Sequence, residues 1–337
     1  MGLVVSGENV MGEKPVIFYS SSLRLAGVLR YPVGIKDPLP AVLLIHGSLE
    51  QDRDGNLLSR PAGRPSPKKN FFLEISKRLV SEGFATFSWD RRGIGDSEAP
   101  LYDGGYLQDA EDAIAAYRAL SSLDLVDPER IAVLGQSAGV YTACLLAKRE
   151  RRVRAYILQG GLYRDYAEMM IFNYRRVAEY AAQSPENLQW VEDNDPVGLV
   201  IGLNLQSLME RARMGETEHC FSYKGKTWRI RHDPICYLPE YSPKNQFKYI
   251  QKPVLVIHGA CDLNVPVEDA LMIERDLKEH GNDNVELVII QNADHSFQQI
   301  AESYDQRLRE RMSLESFRRP YREDYFMAVA SFLKRWL

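Results

Sequence analysis

The sequence predicts an α/β protein. A mostly parallel, eight-stranded sheet is covered by helices on both faces, and a largely helical segment is inserted after the sixth strand. Three observations carry that expectation. Short apolar, β-branched runs alternate with stretches of helical spacing along both flanks of the chain, the pattern that builds parallel sheets through crossover helices. The pentapeptide Gly135-Gln136-Ser137-Ala138-Gly139 lies between an apolar run, Ile131-Ala132-Val133-Leu134, and a helix-forming run at 141–148. Two later apolar runs each end in a loop with one reactive side chain, Asp262 in the first and His295 in the second.

The elements follow in chain order. Residues 16–19 and 25–31 read as the first two strands. Asp37-Pro38-Leu39-Pro40 is a turn before the third strand, Leu43-Leu44-Ile45, which runs into His46-Gly47-Ser48. Residues 50–70 are polar and rich in proline and glycine, and so read as a loop. Asp52-Arg53-Asp54-Gly55-Asn56 has the opening of a calcium loop. Gly63 stands at the twelfth position, where a bidentate glutamate belongs, so no calcium site is expected. Residues 71–82 have helical spacing, and 84–89 form the fourth strand. Residues 105–120 form a helix with Ala110, Ala113 and Ala116 on one side. The fifth strand is the run before the pentapeptide, and 155–160 is the sixth. Pro253-Val254-Leu255-Val256-Ile257-His258-Gly259 and Val285-Glu286-Leu287-Val288-Ile289-Ile290 complete the eight.

Residues 1–161 and 247–337 thus make the core domain, and 162–246 an inserted cap. Within the cap, 162–182 reads as a helix with apolar bulk from Tyr166, Met169, Met170, Phe172, Tyr174 and Val177. Residues 198–214 read as a second helix, and 219–231, with Lys224-Gly225-Lys226 at the centre, as a hairpin. The cap is expected to fold over Ser137 as a lid, packing most of its methionines and aromatics onto the body. Met169 and Phe172, with Leu49 from the body, are expected to face the substrate. Residues 300–319 alternate arginine and glutamate, as in Arg307-Leu308-Arg309-Glu310-Arg311. A solvated helix laced with i to i+4 pairs is expected. Whether it docks a second subunit, making a homo-oligomer, stays open.

The chemistry follows from the pentapeptide. A strand turning sharply into a helix sets the serine on a tight elbow, its hydroxyl exposed at the top of the sheet. The glycines are needed because a Cβ at either place would crowd the elbow. A serine hydroxyl is a poor nucleophile at neutral pH, so it needs a base. His295 would take its proton during attack and return it to the leaving group. Asp262 would hold the imidazole tautomer and stabilise the imidazolium. Both lie just past the carboxyl end of a strand, where open parallel sheets gather their sites. Other histidines fit less well. His46 and His258 sit at strand ends in structural settings, His219 and His232 fall in the cap, and His280 ends a helix. Asp294 competes with Asp262 only by adjacency to His295, and Asp90 is expected to pin the Arg91-Arg92-Gly93 loop. Backbone N–H groups of Ala138 and of Ser48, with Leu49 as the alternative, are the expected oxyanion donors.

Four stretches carry a resemblance. They are the pentapeptide; His46-Gly47-Ser48 with Gln51-Asp52-Arg53-Asp54-Gly55; Asp90-Arg91-Arg92-Gly93-Ile94-Gly95-Asp96-Ser97; and His258-Gly259-Ala260-Cys261-Asp262. Together the chain resembles the α/β-hydrolase superfamily, near bacterial carboxylesterases and dienelactone-hydrolase-like serine esterases. The resemblance implies the α/β-hydrolase fold, a Ser-His-Asp triad and a small or medium acyl substrate. Residues 162–246 resemble no named segment. Cysteine at the elbow would favour dienelactone chemistry; Ser137 favours ordinary esters.

Composition narrows the rest. The chain has 337 residues, 45% of them apolar, enough for a large core without disulfide or metal staples. A net charge of −4 gives no nucleic-acid footprint. The four cysteines share no metal-ligand spacing, and reduced thiols in a cytoplasmic protein are expected. No run approaches the ~18 uninterrupted apolar residues of a membrane helix, and no signal peptide is recognisable. The expected activity is therefore cofactor-free and metal-free hydrolysis of a small-molecule carboxylic ester through an acyl-enzyme. Amide, peptide or C–C cleavage by the same triad is the alternative, followed by ligand binding without catalysis.

Overall fold

The computed structural model describes residues 10–58, 66–99, 105–231, 233 and 238–337. Gly63, His232 and Cys236 lie outside the described residues, as do residues 1–9, where no signal peptide is expected. The strands are β1 (Met11–Ser20), β2 (Leu23–Pro32), β3 (Leu39–Ile45), β4 (Ala85–Trp89), β5 (Val126–Gln136), β6 (Ala155–Gln159), a separate hairpin of β7 (Glu218–Tyr223) and β8 (Lys226–Arg231), then β9 (Val254–Gly259) and β10 (Val285–Ile290). Eight of them form one sheet in the order β1-β2-β4-β3-β5-β6-β9-β10. Only β2 runs against its neighbours, and the remaining pairs are parallel. The fold class is the one expected from sequence.

Alternation along the strands explains the layers. Leu43 and Ile45 of β3, with Ile131 and Val133 of β5, face one cluster; Val42, Leu44, Ala132 and Leu134 face the other. Apolar residues on both faces of a strand require cover on both sides. Helices α2 (Tyr106–Ser121) and α3 (Ala138–Arg149) cover the first face, and α1 (Phe71–Ser81) the second. Four further helices, α4 (Tyr166–Ala182), α5 (Pro185–Asn194), α6 (Pro196–Leu203) and α7 (Leu205–Arg213), lie between β6 and the hairpin. After them come α8 (Val267–Glu279), on the first face with α2 and α3, then α9 (Tyr304–Ser313), and α10 (Glu323–Trp336), on the second face with α1. Strand order reverses between β3 and β5, so the connections leaving their carboxyl ends run to opposite sides and leave a crevice there.

The segment between β6 and β9 differs from expectation in detail. Its first helix starts at Tyr166, not at 162, because Asp165 closes a capping box with Glu168. A helix over 185–194 was not foreseen, and the single helix expected at 198–214 is two. Ser184-Pro185 and Asp195-Pro196 each supply a capping side chain and a proline at the first turn. Asn204 leaves helical geometry between α6 and α7. The hairpin is as read, with Lys224 and Gly225 both at positive φ, 47° and 75°, the two-residue turn that matches strand twist. The segment packs around clusters of its own, one centred on Val200, Leu208 and Phe221.

Helix α9 corrects a further expectation. It is not simply solvated. Leu308 and Met312, one turn apart, are buried against Val177, Tyr180, Val191 and Leu199 of α4, α5 and α6. Its arginines reach across to other elements instead of along the helix. Arg309 donates to the Tyr180 hydroxyl and, at 3.1 Å, to Asn187. Glu310 pairs with Arg319 beyond the helix end. The dense charge pattern hid the two apolar residues that decide where the helix lies. Among the described residues no helix is long and apolar enough to cross a membrane.

Candidate active site

Ser137 lies between the last residue of β5 and the first of α3, at φ 54°, ψ −118°. Few residues other than glycine adopt that region, so the elbow is strained and the surroundings must hold it. Its N–H donates to the Gln159 carbonyl of neighbouring β6 at 2.8 Å, and its carbonyl accepts from Val140 N–H at 3.0 Å. The flanking glycines have the expected cause. A Cβ on Gly139 would lie 2.5 Å from the Ile45 and His46 carbonyl oxygens, and one on Gly135 would run into the backbone of Gly139.

His295 and Asp262 come together from the loops after β10 and β9. His295 Nδ1 donates to Asp262 Oδ2 at 2.6 Å. The other carboxylate oxygen accepts the N–H groups of Asn264 and Val265 at 2.6 and 2.9 Å. Asp262 is wholly buried and His295 nearly so. Burial alone would raise the carboxyl. The charge of His295 and hydrogen bonds from His258 and His295 outweigh it and hold Asp262 well below the usual carboxylate range. His258 Nε2 lies 3.1 Å from both Asp262 Oδ2 and the Val265 carbonyl. Burial would lower its pKa, but hydrogen bonding to Asp262 and the charge there raise it. The imidazole of His295 rests on the backbone at Gly160, where φ is +57° and a Cβ would stand 3.0 Å from Cε1.

Asp294 does not compete for the ring. Its Oδ1 accepts the N–H groups of Ser296 and Gln298 at 2.8 and 2.9 Å, and burial pushes its pKa up to about 6. His46 is buried against Phe72 and Trp89. Burial and the charge of Arg91 bring its pKa down to about 3, so it is neutral across the working range. His280 caps α8 with Nδ1 2.8 Å from the Asp276 carbonyl, and His219 is buried beside Phe221 in the hairpin. Asp90 ties down more than its own loop. It accepts from the Asp96 N–H at 3.0 Å and from Arg53 N–H and Nε at 2.8 and 3.1 Å. Asp52 is likewise used internally, accepting the N–H groups of Asp54 and Asn56. Among the described residues no group of three His, Cys, Asp or Glu side chains could hold a metal.

The loop after β3 is clamped through its carbonyls. Arg91 Nη1 donates to the Gly47 and Leu49 carbonyls at 2.7 and 2.9 Å, and Gln51 Nε2 to that of Ser48 at 2.8 Å. Asp109 fixes the other end of Arg91 through two bonds of 2.6 Å. Three successive carbonyls are thereby occupied, and Leu49 is held at φ 71°. Ala138 begins α3, where unpaired N–H groups and the helix dipole favour negative charge.

A cavity of about 1010 Å³ opens over the elbow. Ser48, Leu49, Ser137, Ala138, Met169 and His295 all line it. Phe172 does not, contrary to expectation: its ring lies under the Arg176 guanidinium, 3.9 Å away. Helix rotation is the reason, since α4 presents Met169, Met170, Asn173 and Tyr174 to the cavity. Cys261 also lines the cavity, while Cys144 is buried in α3. Sequence reasoning missed Lys69, Arg307 and Arg311 in the same lining. A lysine in a polar loop and arginines in a charged helix carry no signal that sets them apart from solvated ones.

Comparisons agree with this architecture. A family model described as Hydrolase_4, serine aminopeptidase S33, matches residues 68–299, a span that holds Ser137, Asp262 and His295. Esterase EstD of Thermotoga maritima is 24% identical over 271 residues, 80% of this chain and 57% of that protein. The chain thus spans little more than half of that relative. The Pyrococcus furiosus esterase Pf2001 superimposes with a TM-score of 0.55 at 18% identity, covering 97% of this chain and 93% of that one. The acylaminoacyl peptidase of Pyrococcus horikoshii gives 0.56 at 19% identity, covering 97% and 42%. At such identities the structural likeness concerns the fold.

Proposed function

The chain belongs to the Hydrolase_4 (serine aminopeptidase S33) family and has the α/β-hydrolase fold, and from that premise we propose that it is a serine hydrolase cleaving a carboxylic ester through an acyl-enzyme. One observation carries the reading. The imidazole bonded to buried Asp262 at 2.6 Å lines the same cavity as the strained Ser137. Ser137 Oγ attacks the ester carbonyl while His295 Nε2 takes its proton, and Asp262 stabilises the imidazolium. The N–H groups of Ala138 and Ser48 receive the oxyanion; one such donor is worth about 3–4 kcal/mol of transition-state stabilisation. His295 then protonates the departing alkoxide. Water, deprotonated by the same ring, releases the acid. Residues 162–246 act as a lid, supported by Met169, Met170 and Tyr174 in the cavity lining.

The family description names an aminopeptidase, which favours amide cleavage as the second reading. Rates on 4-nitrophenyl butyrate, alanine 4-nitroanilide and a β-diketone separate the two readings and C–C cleavage as well. The proposal expects ester turnover well above amide turnover, and loss of at least ~1,000-fold in kcat for Ser137→Ala. Anilide turnover exceeding ester turnover would favour the peptidase reading, and an unchanged Ser137→Ala rate would remove Ser137 from the chemistry.

A further inference from the structure

Three cations lining the cavity, Lys69, Arg307 and Arg311, make no ion pair with a carboxylate among the described residues, although the charges of Asp294 and Asp195 reach Lys69 and Arg311. Lys69 is 8% exposed yet lines the cavity. Its ammonium lies 5.2 Å from the ring centroids of both Phe71 and Phe317, and among the described residues it makes no hydrogen bond or ion pair. Desolvation brings its pKa down to about 8, opposed by the charge of Asp294. Arg307 lines the cavity too, its guanidinium 6.0 Å from the ring centroid of Tyr304 and its Nε buried without a hydrogen-bond partner. Arg311 also lines it and donates only to neutral amides, to Asn264 at 2.7 Å and to Asn173.

The carboxylates lining this cavity are mostly committed elsewhere. Asp294 accepts two backbone N–H groups, Asp195 caps α6 through Gly198 N–H at 2.9 Å, and Glu310 pairs with Arg319. Glu50, in the connection from β3 to α1 that also holds Lys69, is the remaining carboxylate of the lining. Arg229 and Arg231, from the hairpin, share Glu218. Burying a cation without a counter-charge is costly, and two aromatic faces compensate it only in part. A ligand anion would complete the set.

We propose that Lys69, Arg307 and Arg311 form a carboxylate-binding subsite, so that the ester cleaved here carries a free carboxylate on the part seated against the His295 side of the cavity. This rests on the esterase reading above and adds the class of substrate to it. A strictly structural Lys69, held by its two rings, would give no preference between charged and neutral substrates.

The test compares 4-nitrophenyl pentanoate with the mono-4-nitrophenyl ester of glutaric acid, which replaces the terminal methyl by a carboxylate. The subsite predicts at least a ~10-fold higher kcat/KM for the charged ester. Lys69→Met should erase most of that ratio through KM, Lys69→Arg should retain part of it, and Arg307→Gln should reduce it. Binding is read independently of turnover by calorimetry on Ser137→Ala, where monomethyl glutarate should bind at least ~10-fold more tightly than methyl pentanoate. Equal or better use of the neutral ester, or a ratio unmoved by both Lys69→Met and Arg307→Gln, overturns the subsite and leaves the esterase reading standing. Absence of any ester turnover overturns the esterase reading, while the calorimetric comparison still decides the subsite.

Discussion

At the scale of single residues, the backbone settings of Ser137, Asp262 and His295 are as telling as their side chains. The positive φ of Ser137 means that the fold carries strain at the nucleophile. Ser137→Gly should therefore be more stable than Ser137→Ala by about 1 kcal/mol in urea unfolding, although both lose activity. Asp262→Asn should cut kcat by ~1,000- to 10,000-fold by losing the tautomer-holding acceptor, whereas Asp294→Asn should cost less than ~10-fold, as measured by ester hydrolysis. The latter also has a pH signature. Its carboxyl is raised to about 6 in the fold, so the stability it lends is full below the unfolded value of about 3.9 and lost as pH rises through 6. Asp294→Asn should accordingly raise the melting temperature relative to wild type at pH 8 more than at pH 4. Ser137, Asp262 and His295 were legible as candidates because a short motif and strand ends mark them locally. Lys69 was not, because its burial depends on Phe317, which folds back from the far end of the chain.

At the scale of elements, loops are positioned by a few long-range bonds. Arg91 links the loop after β4 to two carbonyls of the loop after β3 and is itself fixed by Asp109 on α2. Arg91→Met should lower kcat ~10- to 100-fold with a smaller change in KM, because an oxyanion donor set slightly out of place still admits substrate. Gly160→Ala tests the seat of the imidazole: a Cβ 3.0 Å from Cε1 at φ +57° must displace the His295 loop. Loss of about 10-fold in kcat is expected, with the protein still folded by circular dichroism. Strand elements were readable since each central strand is a short, continuous apolar run between turn residues, the mark of a strand buried on both faces. The helices between β6 and β9 were read less well. Their apolar residues face clusters built by one another, and Ser184-Pro185 and Asp195-Pro196 were punctuation that hydropathy alone overlooks. Helix α9 was misread for the opposite reason, its charge outweighing the Leu308–Met312 face.

At the scale of the whole molecule, the segment over the cavity is joined to the body near the triad itself. Asn173 of α4 donates to the Asn264 carbonyl at 2.6 Å, two residues beyond Asp262, and Arg311 of α9 binds both asparagines. Asn173→Leu would leave buried partners unsatisfied, at a cost of about 1–3 kcal/mol. Hydrogen exchange should then quicken in α4 and α9 while β5 keeps its protection. No sequence pattern announces such a junction, since three distant polar residues meet only after folding. The reaction assigned to this cavity is tested most directly by a fluorophosphonate probe followed by peptide mass mapping. The account predicts one adduct, on Ser137, abolished by His295→Ala. Ester turnover that persists with Ser137 unlabelled, or an adduct on another residue that silences the protein, would contradict it.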